Sequence, residues 1–303
     1  MEPTGKVERL ANPELISLFG GISGVTLSTT EFEIASGLFV RDTYAHVMAP
    51  YIMAFKKPTE KGAAHPGPWH AAKGGGLGFD VTIEIFLDQQ VRPSNFDRLN
   101  TLWFVLSLLR LVSGAPIRMP VISDTSFANV QNSSREPSLW PLEMLPHQLQ
   151  LMKKPSTEIS IAHLQWIRKH LNTSSLLLRH ASLNRAFQTF DSTNWAHSSG
   201  SALLMIWAAV EALFQPGRLN ITKTLAATVA TYLHSPGPER DREYGHIAQL
   251  YEARGNAAHN AELPEQDQLL ASSDIARRCF TKCFENEKLP QRVELLEAWK
   301  QRR

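Results

Sequence analysis

The sequence predicts an α+β protein, with a mixed α/β domain at residues 1–155 followed by an all-helical domain at 156–303. Three observations carry that expectation. In "FDVTIEIFLD" (79–88), Val81, Ile83, Ile85 and Leu87 alternate with Asp80, Thr82, Glu84 and Asp88, Phe86 being the one apolar exception on that second face, which is the period of a half-buried strand. Beyond residue 155 the apolar residues recur at spacings of three and four, the period of amphipathic helices. Between the two patterns, "NSSREPSLWPLEMLPHQLQLMKKPSTEIS" holds four prolines, which force extended or irregular backbone and mark the border.

In the first part, "GLFVRDTYAHVMAPYIMAF" (37–55) is rich in β-branched and aromatic residues and reads as strand. "HPGPWHAAKGGGLG" reads as a loop, because no Lys-Ser/Thr pair follows its glycines to build a phosphate cradle. "SNFDRLNTLWFVLSLLRLVSG" (94–114) reads as an apolar helix, "IRMPVIS" as a strand, and Leu149–Met152 as a further strand. On the outer face of the 79–88 strand, Asp80, Glu84 and Asp88 read as solvated surface rather than a metal site. In the second part Thr157 is the expected cap of a helix through "EISIAHLQWIRKHL". "LLLRHASLNRAFQTF" (176–190) continues the helical period. A long helix containing "SALLMIWAAVEALF" is expected to start at Asp191 or Ser192 and to end near Gly217. "NITKTLAATVATYL" (220–233) follows, then a turn at "HSPGPERD". Pro264 is expected in the first turn of the helix at 264–286, and "PQRVELLEAWKQRR" is a short closing helix.

Composition narrows the function classes. In 303 residues, 31 basic side chains nearly balance 29 acidic ones, for a net charge of +2, so the chain is no basic nucleic-acid coat. The start has no signal-peptide pattern. The most apolar run, "TLWFVLSLLRLVSGAPI", is interrupted by Arg110 and falls short of a membrane span. Cys279 and Cys283, the only two cysteines, lie four apart in a helical pattern and read as small core residues of a reduced, cytoplasmic protein. Neither metal nor cofactor is expected.

The helical part contains, in order, "LNRAFQTF", the apolar "WAAVEALF" with its single acid Glu211, "LAATVATYL", "LYEARGNAAHN" and "IARRCFTKCF". This ordered set resembles the HEPN superfamily, and within it the Apea-like HEPN domains, over roughly residues 175–287. The resemblance implies a compact antiparallel helical bundle. It also implies a metal-independent ribonuclease that works as a homodimer, as in toxins and antiviral defence proteins. There an Arg-x(4–6)-His motif from each subunit meets in one cleft. In this sequence the motif falls on Arg254 and His259. The polar residue usual directly after the arginine is Gly255 here, with Asn256 one later, and the glycine common after the histidine is Asn260.

Spacing alone does not select that pair, since a chain of this composition produces roughly two such matches by chance. The sequence holds three: Arg41–His46, Arg240–His246 and Arg254–His259. The first lies in a strand, where residues five apart point to opposite faces. The second sits in the expected turn. Only the third has helical neighbours on both sides. Five residues along a helix place its two positions about 140° apart, and Gly255 is expected to let the helix start or deform so that both border one groove.

The residue types suit RNA cleavage. A histidine titrating near neutrality can take the proton of a ribose 2′-hydroxyl, and an arginine fork can hold the scissile phosphate. The products would carry 2′,3′-cyclic phosphates, and DNA, lacking the hydroxyl, would not react. Arg254, His259 and Asn256 are the expected catalytic residues, with Tyr251 and Asn260 as RNA contacts. Glu211, a lone acid in an apolar helix, needs a partner, and an arginine or a helix N-terminus is expected to supply it. Tyr251 also fits core packing, and Arg254 an ordinary ion pair. The competing reading is a non-catalytic module holding RNA, a nucleotide or a protein in the same cleft. For the first domain the architecture suggests a sensing role for a ligand or partner.

Overall fold

The computed structural model describes residues 16–48, 51–54, 56–64, 66, 70–73, 78–134, 136–144, 149, 151–154, 156–259 and 263–301. It is an α+β structure. Strands β1 (Leu18–Ser23), β3 (Glu31–Ala35), β4 (Leu38–Met48), β7 (Gly78–Leu87), β8 (Arg118–Ser123) and β9 (Leu139–Pro141) form one antiparallel sheet in the order β3-β4-β7-β1-β8-β9. Two short pairs stand beside it: β5 (Tyr51–Ala54) with β6 (His70–Lys73), and β2 (Thr26–Leu27) with β10 (Glu158–Ile159).

The centre of the sheet is β1, "LFGGIS", buried along its whole length. Its glycines are required by close approach from both faces. A Cβ at Gly20 would meet the Met119 sulfur at 2.4 Å, and one at Gly21 would meet the Phe127 ring at 2.8 Å. On β7, Ile83, Ile85 and Leu87 enter the main core, whereas Val81 joins a smaller cluster with Phe19, Ala45, Val121 and Phe127. The expectation of a solvated outer face fails at Glu84, which is 2% exposed. The Phe127 amide and the Ser126 hydroxyl donate to its carboxylate, because the segment after β8 folds over the sheet. Burial pushes the Glu84 carboxyl above its ordinary pKa, against the hydrogen bonds that lower it.

Helix α1 (Arg98–Ser113) starts at Asp97, whose side chain accepts from the Asn100 amide, and stops at Gly114 in the left-handed region. It packs on the sheet and also on the helices that follow. These are α2 (Ile161–Leu177), α3 (Ala181–Ser192), α4 (Ser199–Phe214), α5 (Ile221–Leu233), α6 (Pro238–His259), α7 (Gln266–Glu285) and α8 (Arg292–Lys300). The nearly all-apolar α4 packs against α3, α5, α6 and α7. The main buried cluster runs from Leu18 to Phe284 and so takes side chains from both sides of residue 155. Cys279 and Cys283 are both buried within it.

Several expected helix ends move. Ser160, not Thr157, caps α2 in a capping box with His163, because β10 keeps residues 158–159 extended. Asp191 and Ser192 end α3 rather than open α4, which is capped by Ser198. The stop of α4 is Gln215 in the left-handed region, two residues before Gly217. Pro264 precedes α7, whose cap is Glu265. The "HSPGPERD" turn shrinks to a few residues, because Pro238 opens α6. No strand is found among the described residues of 149–152.

Candidate functional site on α4 and α6

The site grows from α4 and α6. On α6, Ile247, Leu250 and Tyr251 form the buried row, and Arg254 follows Tyr251 at a spacing of three, next along the same side. On α4, Trp207 is fully buried and donates its indole N–H to the Ser272 hydroxyl of α7 at 3.2 Å. The Trp207 ring meets Tyr251 edge to face, with centroids 5.4 Å apart. Thus held, Tyr251 donates its hydroxyl proton to Oε1 of Glu211 at 2.8 Å. Arg254 Nη2 lies 3.3 Å from that same oxygen, and its guanidinium is 5.4 Å from the Tyr251 ring centroid. The lone acid of the apolar helix therefore has its partners, an arginine and a tyrosine.

The electrostatics follow from that geometry. Burial, together with the Glu211 carboxylate, pushes the Tyr251 hydroxyl up to about 12, so it is a neutral donor at physiological pH and no general base. Arg254 is incompletely satisfied. Its Nε is buried without a hydrogen-bond partner among the described residues, while the side chain as a whole is 27% exposed. Nε being enclosed, it is the exposed part of the guanidinium that is equipped to take an anion.

The other expected site residues are not gathered around Arg254. Helix α6 runs through Gly255 without a break, contrary to the expected start or deformation there, and among the described residues nothing beyond the helix's own backbone lies within 4 Å of where a Gly255 Cβ would be. An unbroken helix sets Asn256 about 200° and His259 about 140° from Arg254 around the axis. Asn256 is exposed. His259 is the last residue of α6, and its side chain lies outside the described part of the structure, as does Asn260 altogether. So the structure joins Glu211, Tyr251 and Arg254, and sets the position of His259 on another side of the same helix.

The two decoy motifs are engaged elsewhere. Arg41 lies over the rings of Phe39 and Phe86 and pairs with Glu31 and Glu84, whereas His46 pairs with Asp80 at 2.8 Å. Arg240 lies inside α6, not in a turn. It is buried over Trp299 and donates to the Ala298 carbonyl, tying α8 to α6. Among the described residues no group of three or more His, Cys, Asp or Glu side chains is arranged to hold a metal, and no helix is long and apolar enough to cross a membrane.

Sequence reasoning missed a second polar cluster. Arg110 donates through Nε to the Ile117 carbonyl, through Nη1 to Asp191 at 2.9 Å and through Nη2 to Glu143 at 2.6 Å. Its guanidinium also stacks 4.3 Å from the Trp195 ring centroid. The available signal was an arginine inside an otherwise apolar helix, which demands buried partners. Comparison of the chain with protein-family models, with curated proteins and with solved structures returns no match.

Proposed function

We propose that the protein is a metal-independent endoribonuclease of the HEPN type, working in the cytoplasm as a homodimer and serving as a toxin or defence effector. The observation that carries this reading is Arg254, held beside Glu211 and Tyr251 with its side chain 27% exposed. In the proposed reaction His259 takes the proton from a ribose 2′-hydroxyl, and that oxygen attacks the adjacent phosphorus. The bond to the 5′-oxygen breaks, leaving a 2′,3′-cyclic phosphate. Arg254 holds the phosphate and the charge that accumulates on it. The departing 5′-oxygen needs a proton, which the second His259 across a twofold axis supplies.

The continuity of α6 supports the dimeric form of this mechanism. Two positions about 140° apart on one straight helix do not share a narrow face. Two copies related by a twofold axis can bring Arg254 of one helix beside His259 of the other. Mixing Arg254→Ala with His259→Ala subunits tests this. Each mixed dimer keeps one arginine and one histidine on different chains, which restores the base and the phosphate clamp but not the second histidine, so a small fraction of the RNA cleavage is the expected return. Full activity from a demonstrated monomer would rule the composite site out.

A second reading, a non-catalytic module that holds RNA, a nucleotide or a protein, is favoured by a specific observation. The Glu211 carboxylate already lies against Arg254 and reduces the positive charge available to a transition state. Binding of RNA without cleavage would select this reading.

A further inference from the structure

A cleft of about 550 Å³ lies between α1, α3 and the turn at Thr193–Trp195 that follows α3, remote in sequence from the α6 motif. That volume accommodates a ligand of two or three fused rings. Five aromatic side chains line it, Phe96, Trp103, Phe104, Phe187 and Trp195. Its only charged lining residues are Glu143 and Asp191, and no lysine or arginine lines it among the described residues.

The two carboxylates belong to the buried cluster around Arg110. Side-chain exposures are 5% for Arg110, 11% for Glu143 and 20% for Asp191. Arg110 lies behind them, with its donors spent on Ile117, Asp191 and Glu143. Glu143 is further fixed by the Met119 amide at 2.7 Å and the Trp103 indole at 3.2 Å, and Asp191 by the Ser107 hydroxyl at 3.0 Å. One cation therefore faces two carboxylates, a surplus of one negative charge in a poorly solvated place. Such a surplus is costly unless something positive joins it. Burial holds the Asp191 carboxyl above its ordinary pKa, with Arg110 opposing.

We infer that this cleft is a binding site for a flat, cationic nitrogen heterocycle of two or three fused rings, carrying no phosphate. The aromatic walls supply stacking and cation–π attraction for such a body. The carboxylate surplus supplies charge-assisted acceptors, and the same surplus repels phosphates and carboxylates. At the rim, the amides of Asn184 and Gln188 can take the polar edge of the ring system. Nothing in this site depends on the ribonuclease reading, because no residue is shared with Glu211, Tyr251, Arg254 or His259.

The test is calorimetric titration of the purified, nucleic-acid-free full chain with three tricyclic probes near pH 8. These are 9-aminoacridine as the cation, acridine as its neutral counterpart and acridine-9-carboxylate as the anion. One 9-aminoacridine is expected to bind per chain. Acridine is expected to bind about tenfold or more weakly, the value of one charge-assisted hydrogen bond, and the anion not detectably. Gln188→Trp fills the rim from an exposed position without touching the buried charges. It should abolish 9-aminoacridine binding with the unfolding midpoint unchanged. Absence of 9-aminoacridine binding, equal binding of acridine, preference for the anion, or undiminished binding by folded Gln188→Trp would each overturn the proposal.

Discussion

Arg110 and Arg254 each lie on a helix beside a carboxylate, yet they are used in opposite ways. Arg110 is 5% exposed, every nitrogen of its guanidinium donates to a described acceptor, and its face is covered by Trp195. Arg254 is 27% exposed, keeps one contact of 3.3 Å to a shared oxygen and leaves Nε without a described partner. A saturated buried arginine is framework, since nothing remains for a substrate to bind. An arginine that is held but partly exposed offers its outward donors to an anion. The difference lies in the exposure, not in residue type or in the presence of an acid.

The largest expected effect is on stability. Arg110→Leu leaves Glu143 and Asp191 buried without their cation and should cost about 3–5 kcal/mol. Arg254→Leu breaks a partly exposed pair and should cost about 1 kcal/mol or less. Urea unfolding midpoints measure both, and equal losses would erase the contrast. Tyr251→Phe comes next. It removes the hydrogen bond to Glu211 and should cost about 1 kcal/mol near neutral pH. Its pH dependence has a definite sign. The hydroxyl is raised from 10.0 to about 12 in the fold, so the folded state holds the proton longer than the unfolded chain. The stability this group contributes is therefore complete below pH 10 and is lost as pH rises towards 12. The Phe variant should lack that part of the alkaline decline in stability. The smallest effect is at Gly255. If α6 is continuous there, Gly255→Ala should stabilise by about 0.5–1 kcal/mol, since the added methyl meets no described residue outside the helix's own backbone. A destabilised variant would mean that the helix deforms at the motif.

The sequence made some of this legible for local reasons. Period two in 79–88 and periods of three and four after 155 were enough to anticipate β7 and most of the helices. Glu211 announced a partner because a lone acid in "WAAVEALF" stands among core residues, although its side chain keeps 27% exposure to solvent. Other features depended on distant chain. In β1, "LFGGIS" lacks a strand-like alternation, and its glycines make sense only once Met119 and Phe127 press on opposite faces. The α2 cap moved from Thr157 to Ser160 because residues 158–159 pair with β2, over 130 residues earlier in the chain. Glu84 became buried because the segment at 126–127 crosses the sheet. At the candidate site, the Arg–His spacing was readable, but whether Gly255 breaks α6 was not, because helix continuity is decided by packing against α4 and α7 as well as by local propensity.

The most direct test of the central claim, that the partly exposed Arg254 works with His259 on RNA, is a cleavage assay on mixed RNAs in excess chelator. It compares the unaltered protein with Arg254→Ala, His259→Ala and the decoy variants Arg41→Ala and His46→Ala, all verified as folded. The account predicts cleavage with 2′,3′-cyclic phosphate ends for the unaltered protein and both decoys, and none for the first two variants. Cleavage that survives Arg254→Ala and His259→Ala, or that appears only with added divalent metal, would contradict it.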